Sequence, residues 1–276
     1  MTPLILFAFN RPHKLMKVID AINGQSIKPE LIVGFIDGHR DQQEQALTQQ
    51  CLDILKDQNV EIVQRDRNYG CAANIMFGIQ EIIKQYESFV VLEDDVIPAQ
   101  HWYESMTIML DKYATDEKVM SVGSFPSLFN HKLSQYPYDV FATHRFSCWG
   151  WGSTAQKFTG VIDQWMEYRN NRTIKFDDIG DIAGSDIKQM IANDHHRTLW
   201  DAIVAAVMIQ QNKVQMITRT FMSNNIGADI HLSDWQNAYF LLNSTLDSKV
   251  PTVFPETSEV TELVQNGTIE YISHQW

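Results

Sequence analysis

Cysteine is scarce in this chain, and what there is does not pair. Cys51, Cys71 and Cys148 are three in number, show no Cys-x-x-Cys spacing and leave an odd thiol over. That excludes a disulfide scaffold and a zinc cluster, and it fits buried thiols in a reducing compartment. Positive charge is also short. Lys and Arg total 22 against 34 Asp and Glu, for a net charge of -12. A protein held to nucleic acid by a basic face is excluded on that balance, although a local basic pocket for a phosphorylated small molecule is not. No stretch approaches the ~20 apolar residues of a membrane helix. The apolar run Pro3 to Phe9 is short, lacks basic residues before it and has no small-residue cleavage site after it, so it reads as a first strand and not as a signal peptide. Internal repeats and low-complexity tracts are absent. These absences lead to the expectation of a cytoplasmic protein, with peripheral contact at the inner membrane face left open.

What remains is an ordinary globular composition, 44% hydrophobic and 20% charged over 276 residues. The first half alternates strand and helix signals. LILFAF, LIVGFID, NVEIVQR, SFVVLEDD and VMSVGSF read as strands. RPHKLMKVIDAINGQ, DQQEQALTQQCLDILKDQ, CAANIMFGIQEIIKQY and HWYESMTIMLDKYA read as the helices between them. Short strands separated by helices predict an α/β fold with a mostly parallel sheet. The second half is less regular. Residues 170–198 read as polar loops with one short helix, TLWDAIVAAVMIQQN as a helix, KVQMITRTF as a strand and SNNIGADIHLSDW as a loop. Residues 1–125 are expected to form the ligand-binding half and 126–276 the second half of one continuous domain.

In parallel sheets, ligands bind beyond the carboxyl ends of the strands. Polar residues stand at four such ends: Asn10 and Arg11, Asp37, Arg65 to Asn68, and Glu93 to Asp95. The last group interrupts an apolar path, VVLEDDVIP. Isolated buried carboxylates are strongly disfavoured, so these three belong at a cleft, where a divalent cation would relieve their mutual repulsion. Hard oxygen ligands suit Mg²⁺ or Mn²⁺. The blander reading of each feature is a solvated turn, a helix cap or, for the tryptophans of FSCWGWG, core packing.

The motifs FNRP (9–12), Asp37-Gly38, RNYGCAANI (67–75), VVLEDDVIP (90–98), HRFSCWGWG (144–152), TLWD (198–201) and SNNIGADIH (223–231) occur in this order. Together they resemble GT-A fold nucleotide-sugar glycosyltransferases, bacterial family 2-like and related to the N-acetylglucosaminyltransferase I group. The resemblance covers roughly residues 4–235. It implies a metal-dependent transfer of a sugar from a nucleotide donor, UDP-linked in the first instance, to a glycan or lipid-linked acceptor, with inversion. It implies that Asp95 ligates the cation of a DxD-type motif, with Glu93 and Asp94 on ribose, sugar or metal-bound water. Phe9, Asn10, Arg11, Asp37, Arg67, Asn68 and His231 fall on the donor side, Asp37 at the base. Trp149, Trp151 and Trp200 fall on the sugar or acceptor side.

Asp201 is the implied general base, with Asp163, Asp178 and Asp194 as rivals. A leucine between Thr198 and Trp200 shifts the register of that motif, and the segment between Gly227 and His231 is shorter than the family's. His195-His196 reads as polar loop. A sugar nucleotidyltransferase is the competing enzyme, disfavoured because FNRPHK lacks the glycine-rich loop such an enzyme places after its first strand. A carbohydrate-binding relative without activity is the competing non-enzyme.

Overall fold

A computed structural model describes residues 1–126, 136–171, 185–194, 199–227, 246–247 and 249–256. Its elements follow the sequence signals closely at first. Strand β1 (Leu4–Ala8) is buried at all five positions. Helix α1 (Pro12–Asn23) starts on a proline, whose missing N–H costs nothing there. It buries Leu15, Val18, Ile19 and Ile22, the spacing of a single helical face. β2 (Ile32–Ile36) leads to α2 (Gln42–Lys56), capped by Asp41, whose Oδ1 accepts the Glu44 N–H at 2.8 Å. β3 (Glu61–Gln64), α3 (Cys71–Ile82), β4 (Ser88–Glu93) and β5 (Val96–Pro98) come next. They are followed by α4 (Trp102–Tyr113), β6 (Val119–Gly123), β7 (Val140–Thr143), β8 (Trp151–Thr154) and α5 (Ala155–Asn171). Last are α6 (Ser185–Asn193), α7 (Trp200–Gln210), β9 (Val214–Thr218) and β10 (Ser223–Asn225).

The main sheet has the order β3-β2-β1-β4-β8-β6-β9-β7. β1 pairs in parallel with β2 and β4, β2 with β3, and β6 with β9. β8 runs antiparallel to β4 and β6, and β7 antiparallel to β9, so six of the eight strands point one way. This is the mostly parallel α/β architecture the alternation predicts. Successive residues of β1 face opposite sides. Leu4, Leu6 and Ala8 join the core beneath α1, α2 and α4, whereas Ile5 and Phe7 join the core beneath α3, α5 and α7.

Three parts were not foreseen. FSCWGWG, given no secondary structure by its sequence, contributes a strand: Trp151 opens β8, wedged between β4 and β6 in the middle of the sheet. Gly152 tolerates that site because a Cβ there would lie 2.7 Å from the Phe89 carbonyl. Helix α5 had no counterpart in the sequence reading, although Phe158, Val161, Ile162, Trp165 and Tyr168 lie buried at the spacing of one helical face. The start of the expected loop, Ser223–Asn225, is a strand pairing antiparallel with β5. α6 is the short helix expected in its region, whereas residues 172–184 and 195–198, with His195, His196 and Asp178, lie outside the described residues.

Trp151 is fully buried, its ring against Phe89, Phe146, Phe158 and Trp200 at 5.0–5.9 Å between centroids. Trp151→Ala is expected to cost about 3–5 kcal/mol in a chemical-denaturation experiment. Trp151→Phe should cost much less, because the indole Nε1 has no hydrogen-bond partner among the described residues.

Candidate active site

Because β1, β2 and β4 are parallel, their carboxyl ends lie along one edge. That edge brings Phe9 to Arg11, Asp37 and Glu93 to Asp95 together. A cleft of about 330 Å³ opens there, within the range of small-molecule sites. Phe9, Asn10, Arg11, Asp37, Asn68, Glu93 and Asp94 all line it, seven residues from four separate stretches of chain. Arg67 does not; it is exposed, with its guanidinium 5.7 Å from the Tyr69 ring.

Glu93 ends β4, and Asp94 and Asp95 form the turn into β5. Asp94 and Asp95 are 1% and 6% exposed, and one guanidinium serves both. Arg11 places Nη2 at 2.5 Å from Asp94 Oδ1 and Nη1 at 2.5 Å from Asp95 Oδ2. The Phe9 N–H donates to Asp94 Oδ2 at 3.0 Å. Burial pulls the Arg11 guanidinium down, but the charges of Asp94, Asp95 and Glu93 outweigh it and hold it above its ordinary value. Burial pushes Asp94 up to about 6, against the pull of Arg11. Glu93 goes up to about 8, through burial first and then the repulsion of Asp95 and Asp94. One arginine therefore does not balance three carboxylates.

A pH dependence follows. Glu93 and Asp94 hold protons more tightly folded than unfolded, so between pH ~4 and ~8 the folded state binds more protons. Their contribution to stability is full below pH ~4 and is lost as pH rises through about 6 and about 8. In EDTA, Glu93→Gln should melt near the wild type at pH 5 and above it at pH 8.5. An equal gap at both pH values would show that Glu93 titrates normally.

Beside the acidic turn lies the segment after β10. The Ile226 N–H donates to the Asp95 carbonyl at 2.8 Å, and Asn225 Nδ2 approaches Asp95 Oδ1 at 3.5 Å. Lys14 Nζ holds the Gly227 carbonyl at 2.9 Å. Gly227 has to be glycine, since a Cβ would sit 2.1 Å from Asp95 Oδ2. His231 lies outside the described residues. Among the described residues, no three His, Cys, Asp or Glu side chains converge as a ready metal cage. The donor chemistry still fits a hard divalent ion. Among the described residues Asp95 Oδ1 carries only the long amide contact, and a cation there would relieve the carboxylate repulsion that, after burial, pushes Glu93 up. Such a site would take few protein oxygens and complete its shell with phosphate and water.

Asp37 is spoken for by its own neighbourhood. Oδ1 accepts the Gly38 and Tyr69 N–H groups at 2.9 and 2.7 Å. Oδ2 accepts the Gly70 N–H at 2.9 Å and Asn68 Nδ2 at 3.3 Å. Burial raises its pKa while those N–H groups lower it, and burial prevails. The carboxylate thus ties the 67–70 turn to the end of β2. Gly70, at φ +80°, allows the chain to turn into α3.

Asp201 occupies the first turn of α7, partly exposed. Burial raises its pKa against its helix-start N–H groups and the charge of Arg145. Its own charge is felt at Glu93 and Cys71, so it belongs to the electrostatics of this cleft. Of the rivals, Asp178 lies outside the described residues, and the other two are placed elsewhere. Asp163 is exposed on α5, and Asp194 Oδ2 accepts the Leu199 N–H at 3.0 Å, fixing the lead into α7. Trp149 is partly exposed, its ring edge-on to Phe125 at 4.6 Å between centroids. Trp151 and Trp200, expected at a sugar, are at 0% and 4% exposure within the aromatic core. Their rings fill the space between sheet and α7, which corrects that expectation for both.

The sequence reading passed over Cys71, Asn74 and Ile75, which line the cleft from α3. They share a face by 3- and 4-residue spacing at the start of a helix that begins at the site, and that was their one available signal.

A family model described as "Glycosyl transferase family 2" matches residues 4–176. Among solved structures, S. aureus TarS 1-349 is similar at 10% identity and TM-score 0.47, covering 81% of this chain and 60% of that one. GalNAc-T7 with UDP, GalNAc and Mn²⁺ is similar at 11% identity and TM-score 0.44, covering 58% of this chain and 36% of that one. S. aureus TarS 1-349 with UDP-GlcNAc matches at 14% identity and TM-score 0.34, covering 46% and 35%. The matches span less than two thirds of each of those chains. No curated protein matches.

Proposed function

This chain belongs to glycosyl transferase family 2, and on that premise we propose that it moves a hexosyl or N-acetylhexosaminyl group from a UDP-linked donor to a glycan or lipid-linked acceptor. The closer relation to the N-acetylglucosaminyltransferase I group is part of the same reading. So is a role in surface polysaccharide assembly at the cytoplasmic side of a membrane. Among the described residues no helix is long and apolar enough to cross one.

The observation that carries the reading is the cleft at the strand ends, where a forked arginine and two buried aspartates meet. A nucleotide diphosphate brings negative charge that an acidic turn alone would repel. Arg11 supplies one positive partner. Asp95 would hold Mn²⁺ or Mg²⁺, whose chemistry is to neutralise the diphosphate as it departs. Phe9, Asn10, Asn68, Glu93 and Asp94 bound the donor, and Trp149 offers the aromatic face for a sugar. His231 belongs to the donor side in this reading, whereas Arg67, exposed outside the cleft, does not.

Asp201 accepts the proton of the acceptor hydroxyl. The hydroxyl oxygen then bonds to the anomeric carbon from the far face, and the carbon–oxygen bond to phosphate breaks with its electron pair leaving on the diphosphate. The anomeric centre inverts. Reach to that proton matters before pKa does. A panel of UDP-, GDP- and CMP-sugars with Mn²⁺, with and without EDTA, tests the proposal by donor hydrolysis and binding. UDP-sugar turnover that EDTA removes is the expected result. No hydrolysis and no binding of any donor would sink it.

A further inference from the structure

The loop between β7 and β8 has its backbone held by buried side chains from other elements. At Ser147 the amide of Gln215, on β9, accepts the backbone N–H on Oε1 at 2.7 Å and donates from Nε2 to the carbonyl at 3.2 Å. At Trp149 and Gly150 two serines take over, Ser124 after β6 and Ser223 at the start of β10, both fully buried. Ser124 Oγ accepts the Trp102 Nε1–H at 2.8 Å and lies 2.7 Å from Ser223 Oγ. Ser223 Oγ lies 2.6 Å from the Trp149 carbonyl, and Ser124 Oγ 2.7 Å from that of Gly150. Gly150, at φ +83°, makes the room, since a Cβ there would come within 2.5 Å of Ser124 Oγ.

Counting protons fixes the direction. An indole N–H only donates and a carbonyl only accepts. The Gly150 carbonyl already receives the Ser124 backbone N–H at 3.0 Å. One arrangement makes hydrogen bonds of both the 2.7 Å serine contact and the 2.6 Å contact to Trp149. It runs from Trp102 to Ser124, from Ser124 to Ser223 and from Ser223 to the Trp149 carbonyl. In a buried chain of this kind each bond polarises the next.

The last hydroxyl belongs to the strand that borders the acidic turn. β10 pairs with β5, and just beyond it the Ile226 N–H bonds the Asp95 carbonyl. Cys148, beside Trp149, feels the charges of Asp201 and Glu93, so the loop passes close to both carboxylates. We propose that Ser223 and Ser124 are positioning residues for sugar transfer, setting the Trp149 indole against the acidic turn, where the donor's sugar meets its diphosphate. This rests on the transferase reading above. Loss of a link leaves the Trp149 carbonyl short of a donor and lets the loop shift, and a displacement of about 1 Å can cost about a hundredfold in rate. The nucleotide is held at the strand ends, so its affinity does not depend on the chain of hydroxyls.

The test is a cycle of Ser223→Ala, Trp149→Ala and the double variant in Mn²⁺. It is read by calorimetric binding of UDP and by hydrolysis of the UDP-sugar turned over fastest in the panel above. Ser223→Ala should bind UDP within about twofold of the wild type and lower kcat by about ten- to a hundredfold. Trp149→Ala should lower kcat at least as far. The double variant should be no slower than Trp149→Ala, because the missing hydroxyl then has no indole to misplace. Ser124→Ala, one link earlier, should show the same pattern at smaller size, and it replaces Ser223→Ala if thermal melts show that variant unfolded. A merely structural serine would lower the melting temperature and multiply the two losses in kcat. Multiplied losses, an unchanged kcat or weakened UDP binding in the serine variants overturns the positioning role and leaves the transferase reading intact. A wild type that binds no UDP and hydrolyses no UDP-sugar overturns both.

Discussion

Asp201→Asn should bind UDP in Mn²⁺ within about twofold of the wild type and hydrolyse the donor some 10²–10⁴-fold more slowly, the usual contribution of a positioned base. The amide keeps the size and the helix-start position of the carboxylate, so α7 should form as before. What it loses is the lone pair that takes the proton. Asp201 suits that task by place: its charge acts on Glu93, and burial raises its basicity against the charge of Arg145, with no ion pair among the described residues clamping it as Arg11 clamps Asp94. A helix-capping role would instead show as a lower melting temperature with turnover largely preserved. Preserved turnover, or loss of UDP binding, would remove Asp201 as the base.

Asp95→Ala should weaken UDP binding in Mn²⁺ by about a hundredfold or more, on the scale of losing a charge-coordinated contact. The loss should be far smaller in EDTA, where Arg11 remains the main counter-charge for the diphosphate. Asp95 pairs with Arg11 and packs against Gly227. Removing it therefore frees one half of the guanidinium fork and leaves Asp94 as the sole partner. Folding should survive, because the Ile226 N–H bonds the Asp95 backbone carbonyl and not its side chain. Titration calorimetry with and without EDTA separates the two states. Equal losses in both would mean that Asp95 acts on the nucleotide only through Arg11.

The cleft was legible because parallel strands put their ends on one edge, and polar residues at strand ends are visible in a linear sequence. Arg11, Asp37, Glu93 and Asp94, which line the cleft, stand at such ends. Asn74 was not legible, since a single asparagine inside an apolar helix looks like any other. The two core tryptophans misled for a related reason. For Trp151, glycine beside tryptophan reads as backbone open to a ligand, yet Gly152 is small because β8 is squeezed against β4; Trp200 stood beside the candidate base but turned into the core.

Local signals thus sufficed for the alternating first half, its strand ends and the acidic turn after β4, because periodicity and caps act over a few residues. Pairing over long separations was decided elsewhere. Burial of Trp151 set β8 between β4 and β6, the fork of Arg11 joined residues 84 apart on Asp95, and four N–H groups claimed the carboxylate of Asp37. Hydrogen-bond capacity is finite, and which group uses it first is settled only when the chain has closed on itself.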